Sequence, residues 1–499
     1  MDRSNGADID RSTTAGADFL QLDIGQAPPG GRADWLAGRL RQAIGDGRLP
    51  VGSRLPATRV LAAELRVSRG LVTEAYRRLG EDGHIAGRGR AGTVVVAAPL
   101  TAAVPSTGTA PGPSNSRSAE AGSPFTAAPG TDAFDVLRTA PARIDLSPGL
   151  PDLAAFPRAA WLRAERAVLA GLTPAAFGYT DPRGTPELRR AVADRLARYR
   201  GFRAGPDQVL ITAGTAQALG LLAQALSADG IRRVAVEDPG SLGARQHLAH
   251  WGMDTPPVAV DEQGVDVAAL DRCGAPAVLL TPAHQFPTGV VLGGERRRAL
   301  LRWAAAGGLV IEDDYDAEHR YDRPPVPALR SMLAERVWYT GSVSKLLAPA
   351  LRIGWLLVPT AHRDAVIEAK RCTDLGNAAL PQLVLAHLME SGELERHSRL
   401  LRRRHRARRD AMVRAVRELL PGATVRGAAA GLHLTITFAA GFADTELAAA
   451  ALARGVKAQP LSWHRQRPGE PGLVLGYAAS PSSAIAEGVA QLAGALRGL

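Results

Sequence analysis

Lys345, in the segment GSVSKLLAPALRIGW, is the residue whose type and setting point most clearly to chemistry. Of the 60 basic residues of the chain only three are lysine, so arginine normally supplies positive charge. A primary amine forms an imine with an aldehyde, whereas a guanidinium does not. Ser342, Ser344 and Arg352 flank the lysine and could bind a phosphate beside it. The segment predicts a lysine that forms a Schiff base; the alternative is a surface lysine in a loop.

An acidic cluster, VIEDDYD, ends a strand-like apolar run. A pyridoxal ring needs an acid beside its nitrogen to hold the proton that makes it an electron sink. Asp313 is placed for this role, and Tyr315 could reach the phenolic oxygen of the ring. Acid-rich strand ends also bind magnesium, and without Lys345 the two interpretations would be equal. Together the segments predict pyridoxal 5'-phosphate and no metal, since the histidines show no paired spacing suited to a metal ion.

The segment LITAGTAQALGLL places Gly214 and Thr215 between a predicted strand and a predicted helix. Backbone amides at a helix N-terminus favour phosphate. The spacing matches neither a P-loop nor a dinucleotide-binding fingerprint, so an ordinary strand-to-helix turn is the alternative. We include both residues in the predicted phosphate site.

Residues 143–499 alternate short β-rich apolar runs with helical stretches, as α/β layered folds do. The runs QVLITAG, RRVAVEDPG, AVLLTPA, GLVIEDDYD and RVWYTGSVSK each end in a polar or glycine-containing turn. In open parallel sheets, ligands bind at the carboxyl ends of the strands. We therefore expect the chemistry of the three segments above to lie at that edge of a sheet.

Residues 31–97 contain three short helical patterns and a hairpin signal. The helical faces consist of Trp35, Leu36, Leu40 and Ile44, of Val60, Leu61 and Leu65, and of Leu71, Val72, Ala75, Tyr76 and Leu79. Only a short turn separates the second and third helices, as a helix-turn-helix requires. The run HIAGRGRAGTVVV predicts a wing. With twelve Arg and six Asp or Glu, this segment holds +6 of the chain's net charge of +11.

In a helix-turn-helix, the start of the third helix enters the major groove of DNA. That geometry places Ser68 and Arg69 near phosphates and base edges, flanked by Arg59 and by Arg88 at the wing tip. The run GRLPVGSRLPATRVLAAELRVSRGLVTEAYRRLGEDGHI resembles the GntR family of winged-helix regulators. The predicted DNA-binding residues are Thr58, Arg59, Ser68, Arg69, Thr73 and Arg88. For any single arginine, ordinary surface charge is the alternative.

Two segments flank the predicted folded units. Residues 1–30 are predicted to be disordered, and residues 98–142, rich in Ala, Pro, Ser and Gly, are typical of a flexible linker. A coil of about 45 residues averages roughly 35–40 Å between its ends, so the units could reorient or exchange between subunits. The chain has two cysteines, Cys273 and Cys372, and no apolar run of about 18 residues. We therefore expect a cytoplasmic protein without a membrane segment.

Residues 145–499 resemble the fold type I pyridoxal-phosphate enzymes, the aspartate aminotransferase superfamily. The resemblance implies that Lys345 is the imine lysine and that Asp313 partners the ring nitrogen. The residues that it assigns to the phosphate are Ser342, Arg352, Gly214 and Thr215. It also implies that Tyr179, in FGYTDPRGTPELR, crosses a homodimer interface to the neighbouring subunit's phosphate. A winged helix-turn-helix followed by such a domain resembles the MocR subfamily of GntR regulators.

Four positions depart from these family patterns. Ser241 stands where an aromatic residue would stack on the ring, and Phe286 where an asparagine would bond the ring oxygen. Val474 lies near the position of the arginine that grips a substrate carboxylate, and Arg90 stands where the wing usually has glycine. The arginines that could replace the missing one are Arg426, Arg465 and Arg467.

We therefore expect a DNA-binding transcription regulator that binds pyridoxal 5'-phosphate and responds to it or to an amine or amino acid. An aminotransferase must bind amino acid, transfer protons and release keto acid, whereas a sensor needs only to bind and change shape. Without the carboxylate arginine, at most weak transaminase activity is expected. The alternatives are an active aminotransferase with an appended DNA-binding domain and a DNA-binding protein whose large domain only dimerises.

The run RLLRRRHRARRD, from Arg399 to Asp410, is rich in arginine. As a helix it would spread its arginines around much of the circumference rather than along one stripe. We therefore predict a solvated connecting helix, and a second nucleic-acid-binding patch is the alternative.

Overall fold

The computed structural model describes residues 22, 24–28, 31–46, 48–89, 92–96, 124–125, 129–316, 318–321, 326–439 and 441–499. Contacts divide the chain into two compact units, Met1–Ser118 and Ala119–Leu499, called here the N-terminal and the C-terminal unit. Each unit has a hydrophobic core of its own. Within the described ranges no helix is both long and apolar enough to cross a membrane.

The N-terminal unit has the predicted order of three helices and a hairpin. Its elements are α1 (Arg32–Gly45), α2 (Thr58–Glu64), α3 (Arg69–Glu81), β1 (Ile85–Gly87) and β2 (Thr93–Val95). Strands β1 and β2 pair antiparallel. Arg66, in the turn between α2 and α3, has a left-handed backbone with φ 52°. Ser68 Oγ accepts a hydrogen bond from Leu71 N at 3.3 Å and so caps α3. The winged helix-turn-helix is confirmed.

The core of this unit follows the predicted helical faces with two differences. Val60 is 41% exposed, and Ala62 is buried instead, because the short helix α2 turns the face of Leu61 and Leu65 inward. Leu22 packs against the same core, and Ile24–Gln26 form a 3₁₀ helix, although both lie in the range predicted to be disordered. Residues 1–21 lie outside the described residues.

The C-terminal unit alternates helices and strands. Its helices are α4 (Ala133–Thr139), α5 (Arg158–Gly171), α6 (Pro186–Arg200), α7 (Thr215–Ala228), α8 (Leu242–His250), α9 (Val267–Cys273), α10 (Gly294–Ala305), α11 (Arg363–Asp374), α12 (Ala379–Glu390), α13 (Glu393–Leu419), α14 (Asp444–Ala453) and α15 (Ser482–Leu496). Its strands are β3 (Ile144–Asp145), β4 (Leu210–Thr212), β5 (Val234–Asp238), β6 (Pro257–Asp261), β7 (Gly264–Val265), β8 (Ala277–Leu280), β9 (Leu309–Asp314), β10 (Val337–Ser342), β11 (Gly354–Leu357), β12 (Thr424–Arg426), β13 (His433–Thr437), β14 (Val456–Lys457), β15 (Gln459–Pro460) and β16 (Gly472–Gly476). The predicted α/β class is confirmed.

Eight of these strands form the main sheet, in the order β4-β11-β10-β9-β8-β5-β6-β7. Strands β10, β9, β8, β5 and β6 are parallel to one another, whereas β11 and β7 run antiparallel to their neighbours. Strands buried on both faces are apolar throughout, which explains runs such as AVLL. Strand β4, which is antiparallel to β11, points the same way as β10. The carboxyl ends of these parallel strands therefore meet at one edge.

A second, four-stranded sheet lies in the order β12-β13-β16-β15, and all its neighbouring strands are antiparallel. It shares one hydrophobic core with α13, α14 and α15. Strand β14 pairs separately with β3.

The predicted linker ends earlier in the chain than residue 142. Helix α4 lies within the predicted range, and its Ala133 and Leu137 are buried in the core of the second sheet, together with Phe125. Phe134 contacts the ring of Trp463 edge-on, with the ring centroids 6.2 Å apart. The Ala- and Pro-rich composition on its N-terminal side concealed this short amphipathic helix. Residues 98–123 and 126–128 lie outside the described residues.

The arginine-rich run forms part of α13, but the prediction of a solvated helix was wrong for one of its faces. His405 and Arg408 are buried. The Nη1 atom of Arg408 lies 2.9 Å from Oδ2 of the buried Asp152. Composition could not show which arginines the rest of the unit would cover.

Candidate functional site

A cleft of about 460 Å³ opens at the carboxyl edge of the main sheet. The sequence-predicted residues that line it are Thr215, Asp313, Tyr315, Ser342, Ser344, Lys345 and Arg352. Gly214 immediately precedes Thr215 as the N-cap of α7. Tyr179 is not brought into the cleft; its side chain is 97% exposed on the surface. Parallel strand ends thus gather side chains that are far apart in the sequence.

Lys345 follows the end of β10, and its Nζ donates a hydrogen bond to the carbonyl oxygen of Gly149. Gly149 has φ 81°, and a Cβ at that position would lie 3.0 Å from Nζ. Burial lowers the pKa of Lys345, while Asp316 and Asp313 act in the opposite direction. The amine is therefore easier to deprotonate than that of an exposed lysine, as a nucleophile requires.

Asp313 lies near the end of β9 and faces the same cleft. Its Oδ1 atom is buried and has no hydrogen-bond partner among the described residues. Burial, with the neighbouring Asp314 and Asp316, raises the pKa of Asp313 to about 7, against the effect of Lys345. An unpartnered buried carboxyl oxygen is costly unless a ligand satisfies it. The protonated nitrogen of a pyridine ring is a donor that would fit.

Behind Asp313, three side chains form a hydrogen-bonded group that the sequence did not reveal. His284 Nδ1 lies 2.8 Å from Asp316 Oδ2 and 3.0 Å from Tyr315 Oη. Tyr315 Oη also donates to the carbonyl oxygen of His284 at 3.1 Å. Burial lowers the pKa of the adjacent His433 to about 3, so this imidazole is neutral. One ligand atom each of His284, Asp316 and His433 lies within 4.8 Å of the other two, close enough for a metal ion. Existing hydrogen bonds already engage these residues: His284 holds Tyr315 and Asp316, and His433 Nε2 lies 3.3 Å from the carbonyl oxygen of Pro287.

The opposite side of the cleft has the features of an anion site. Gly214, with φ 81°, is the N-cap of the 14-residue helix α7, and Thr215 is the first residue of that helix. Arg352 Nη2 donates to the carbonyl oxygen of Ala213, which brings the guanidinium to this helix N-terminus. Ser342 lines the same cleft. A helix N-terminus, a guanidinium and hydroxyl groups are the combination that binds phosphate.

The residues that depart from the aminotransferase pattern have structural explanations. Ser241 lines the cleft and caps α8, its Oγ accepting from Ala244 N at 3.2 Å. Phe286 also lines the cleft, with its ring centroid 5.0 Å from those of His433 and His464. Val474 is buried within β16. Phe286 has no polar atom on its side chain, so it cannot replace the hydrogen bond of an asparagine.

The arginines considered as replacements do not line this cleft. Arg426, Arg465 and Arg467 line a separate cleft, also of about 460 Å³, together with acidic residues such as Asp238 and Glu470. They are therefore not placed to grip a ligand bound to Lys345.

Arg138, which the sequence analysis did not select, lines the cleft from the last turn of α4. Its guanidinium pairs with Asp135 at 2.6 Å, and both side chains are mostly exposed. Lys457 Nζ donates to the carbonyl oxygen of Arg138 at 2.8 Å and so anchors the end of the helix. The apolar spacing of Ala133 and Leu137 is the signal that could have revealed this helix within the predicted linker.

The predicted DNA-binding residues lie on α2, α3 and the hairpin. Thr58 and Arg59 begin α2, Ser68 caps α3 and Arg69 is its first residue, and the exposed Arg88 follows β1. The exposed Thr73 lies one turn further along α3. Arg90 lies outside the described residues.

Ion pairing distinguishes two groups of arginines in the N-terminal unit. Arg77 pairs with Glu74 and Glu81, and other paired arginines are Arg41, Arg48 and Arg78. Within the described part of the chain, no carboxylate pairs with Arg59, Arg69 or Arg88. The predicted DNA-binding arginines therefore keep their positive charge available to phosphate, as do Arg32, Arg39, Arg54 and Arg66, which also have no carboxylate partner among the described residues.

Comparison with known proteins identifies two families along the chain. Residues 33–95 match the gntR family of bacterial regulatory proteins, and residues 142–492 match aminotransferase class I and II. The chain is 33% identical over 469 residues to the probable rhizopine catabolism regulatory protein MocR of Rhizobium meliloti. This match covers 92% of this chain and 93% of that protein. It is 31% identical to the pyridoxine biosynthesis transcriptional regulator PdxR of Corynebacterium glutamicum, over 80% of this chain and 82% of that protein.

A solved structure shares the fold of the C-terminal unit. The kynurenine aminotransferase of Pyrococcus horikoshii, solved in complex with PMP, superposes with a TM-score of 0.67 at 26% identity. The match covers 74% of this chain and 93% of the enzyme. Because a regulator such as MocR is matched along both units, the chain belongs to the MocR subfamily of GntR-type transcription regulators, in which a winged helix-turn-helix precedes an aminotransferase-like domain of fold type I.

Proposed function

We propose that this regulator binds operator DNA through its N-terminal unit and holds pyridoxal 5'-phosphate on Lys345 in its C-terminal unit. It responds to pyridoxal 5'-phosphate itself, or to an amine or amino acid that reaches the cofactor, and it acts in the cytoplasm. The observation that carries the proposal is the unpartnered, buried Oδ1 of Asp313 in the same cleft as the amine of Lys345. A protonated ring nitrogen gives that oxygen the donor it lacks.

Different residues that line the cleft would bind different parts of the cofactor. Bound pyridoxal phosphate supplies an aldehyde that reacts with amines and a ring that withdraws electrons. Lys345 provides the amine, and its lowered pKa keeps more of it neutral at a given pH than in an exposed lysine. Asp313 would hold a proton at the ring nitrogen of the bound cofactor. Arg352 and the N-terminus of α7, which begins at Thr215, would hold the phosphate.

Asp313→Asn should stabilise the cofactor-free protein while weakening cofactor binding. The pKa of Asp313 in the folded state, about 7, lies above its ordinary value of 3.8, so ionisation opposes folding. Below about pH 4 the carboxyl is protonated in both the folded and the unfolded chain, so Asp313 costs no stability there. The cost grows as pH rises and is complete once the pH has passed about 7. The variant should therefore raise Tm by a few degrees at pH 8 and change it little at pH 4. An unchanged Tm at pH 8 would show that a partner already satisfies the carboxylate.

The arrangement of cations favours a sensor over an aminotransferase. Among the described residues that line the cofactor cleft, Arg138 and Arg352 carry the guanidinium groups, and Arg352 lies at the phosphate side. Val474 supplies no charge where an aminotransferase places its carboxylate arginine. The alternative is an active aminotransferase with an appended DNA-binding domain, which is favoured by the retention of Lys345 and Asp313.

Arg138 is the residue that we propose for recognition of an anionic effector. Its pair with Asp135 is exposed, and such pairs contribute little, so an effector carboxylate can replace Asp135. Arg138→Gln should weaken binding of amino acids about tenfold, as expected for the loss of a charge-assisted hydrogen bond, and leave a simple alkylamine unaffected. Spectral titration of the cofactor band measures both affinities.

Arg143→Gln is the matched control for this experiment. Arg143 is also exposed and also pairs with a carboxylate, Glu487, but it does not line the cleft. Equal affinities of the two variants for every amino acid tested would contradict the role of Arg138.

The proposal includes a homodimer. Four large apolar or aromatic side chains on α5 and in the segment that follows it are 42 to 97% exposed: Leu162, Leu169, Phe177 and Tyr179. Exposed apolar surface of this kind marks interaction sites. Tyr179 in particular is available to a second copy of the chain. Sedimentation equilibrium of the full chain tests this part of the proposal.

The whole proposal is tested by measuring DNA binding and turnover on the same preparation. The cofactor-loaded protein should absorb near about 420 nm, as imines of pyridoxal phosphate do. Its affinity for DNA from the promoter regions beside its own gene should change when an effector is added. Keto-acid production with a panel of amino acids should stay far below about 1 per second, and steady turnover at that rate would instead support the aminotransferase.

A further inference from the structure

Lys370 is a second lysine whose setting explains why arginine does not replace it. Its side chain is fully buried. Nζ lies 2.6 and 2.7 Å from the carboxylate oxygens of Asp374, 2.7 Å from Asn377 Oδ1 and 3.2 Å from Gln217 Oε1. An ammonium has three N–H donors, and the three side chains accept them. A planar guanidinium has a different size and donor geometry, so the cage fits lysine.

This cage extends to the turn that precedes α7. Gln217 Oε1 also accepts a hydrogen bond from Ala213 N at 2.7 Å, and Gln217 Nε2 donates to Asp374 Oδ2 at 2.6 Å. The carbonyl oxygen of Ala213 accepts from Arg352. The backbone N–H of Ala213 is therefore held by Gln217, and its carbonyl oxygen is held by Arg352, which is one of the predicted phosphate-binding residues. Ala213 is adjacent to Gly214, whose backbone turns into α7.

We propose that Lys370 is a positioning residue for the phosphate-binding turn, and that through Gln217 it sets the preference of the cleft for a phosphorylated ligand. The ammonium fixes the Gln217 side chain, and the carboxamide oxygen fixes Ala213 N. Fixing Ala213 orients the amides that follow it at the helix N-terminus. This inference rests on the proposed function, because it takes the ligand of the cleft to be pyridoxal 5'-phosphate.

The preference is measured as a ratio of two dissociation constants, that of pyridoxal divided by that of pyridoxal 5'-phosphate. Both ligands offer the same ring and aldehyde to Lys345 and Asp313. The ratio therefore measures only the contribution of the phosphate group to affinity. In Lys370→Met the ratio should fall about tenfold or more, because a charge-assisted contact that holds the turn is lost. Lys370→Arg should lower it too, since charge without the fitted cage does not fix Gln217.

Two further variants separate positioning from general stability. Gln217→Ala leaves the ammonium bound to Asp374 and Asn377 but frees Ala213 N, and the ratio should fall as it does in Lys370→Met. Arg330→Met removes another buried cation, one that donates to the carbonyl oxygens of Ala334 and Val358 at 3.0 Å. It should lower Tm and leave the ratio unchanged.

The possible outcomes are distinct. An unchanged ratio in Lys370→Met and Gln217→Ala overturns the inference while the proposed function stands. An equal fall of the ratio in Arg330→Met also overturns it, because the effect would then be one of stability. If Lys370→Met does not fold, the ratio in Gln217→Ala decides. Failure of the unmodified protein to bind pyridoxal 5'-phosphate at all removes the proposed function itself.

Discussion

Replacing Lys345 by alanine should abolish the absorbance near about 420 nm and the trapping of cofactor by borohydride, because both require an imine to the lysine amine. The cofactor would then be held only by contacts to its phosphate and ring. We expect its dissociation constant to rise about 100-fold or more, which corresponds to about 2.7 kcal/mol. Absorbance titration and equilibrium dialysis measure the two effects on the same samples.

Lys345→Arg is the control for charge. It preserves a cation near Asp313 and Asp316, which both act on the pKa of Lys345, but it supplies no primary amine. It should be as colourless as the alanine variant. A persistent band in Lys345→Ala would place the imine on another amine of the chain and contradict the assignment. DNA binding without effector should survive in both variants, because the winged helix-turn-helix belongs to a separate unit with its own core.

Arg69→Ala should weaken binding of operator DNA about 10- to 100-fold if the guanidinium reads a base edge in the major groove. Arg69 is the first residue of α3, is exposed, and has no carboxylate partner among the described residues. If it contacts only phosphate, affinity should fall equally on all DNA sequences, and the salt dependence should decrease by about one phosphate contact. Fluorescence anisotropy with specific and unrelated duplexes at several salt concentrations distinguishes the two contacts.

Arg77→Ala provides a control on the same helix. Arg77 is about half exposed, but Glu74 and Glu81 already neutralise it. Its removal should change DNA affinity by less than about threefold. Equal losses in the two variants would indicate that only net charge matters and would contradict the assignment of α3 as the recognition helix.

Site residues that lie at strand ends could be predicted from the sequence. At those positions the local apolar pattern locates the strand, and the parallel topology locates its end in the cleft. Lys345, Asp313 and Thr215 each follow or end a buried strand, and parallel pairing brings such ends together. The helix-turn-helix was predictable because its helices have apolar faces at regular spacing. Ser68 also has the side chain of a helix cap, and it caps α3.

Features that depend on long-range burial could not be predicted. Arg138 lies in a helix whose neighbourhood has the composition of a linker, and only its packing places it at the cleft. Lys370 looks like a surface residue of an amphipathic helix, yet it is buried and its ammonium is bound by Asp374, Asn377 and the distant Gln217. Arg408 is one of several similar arginines, and only tertiary contact selects it for Asp152. For Lys370 and Arg408, at least one partner lies more than 150 residues away along the chain, and local pattern carries no sign of such a contact.

Helix α4 contributes Arg138 to the rim of the cleft. In the described part of the chain, α4 is the first helix that follows the DNA-binding unit, and its Ala133 and Leu137 are packed in the core of the second sheet. If the proposed effector binds Arg138 and displaces α4, binding at the cleft and binding of DNA become coupled equilibria. Linkage then requires reciprocity: whatever factor the effector applies to operator affinity, the operator applies to effector affinity.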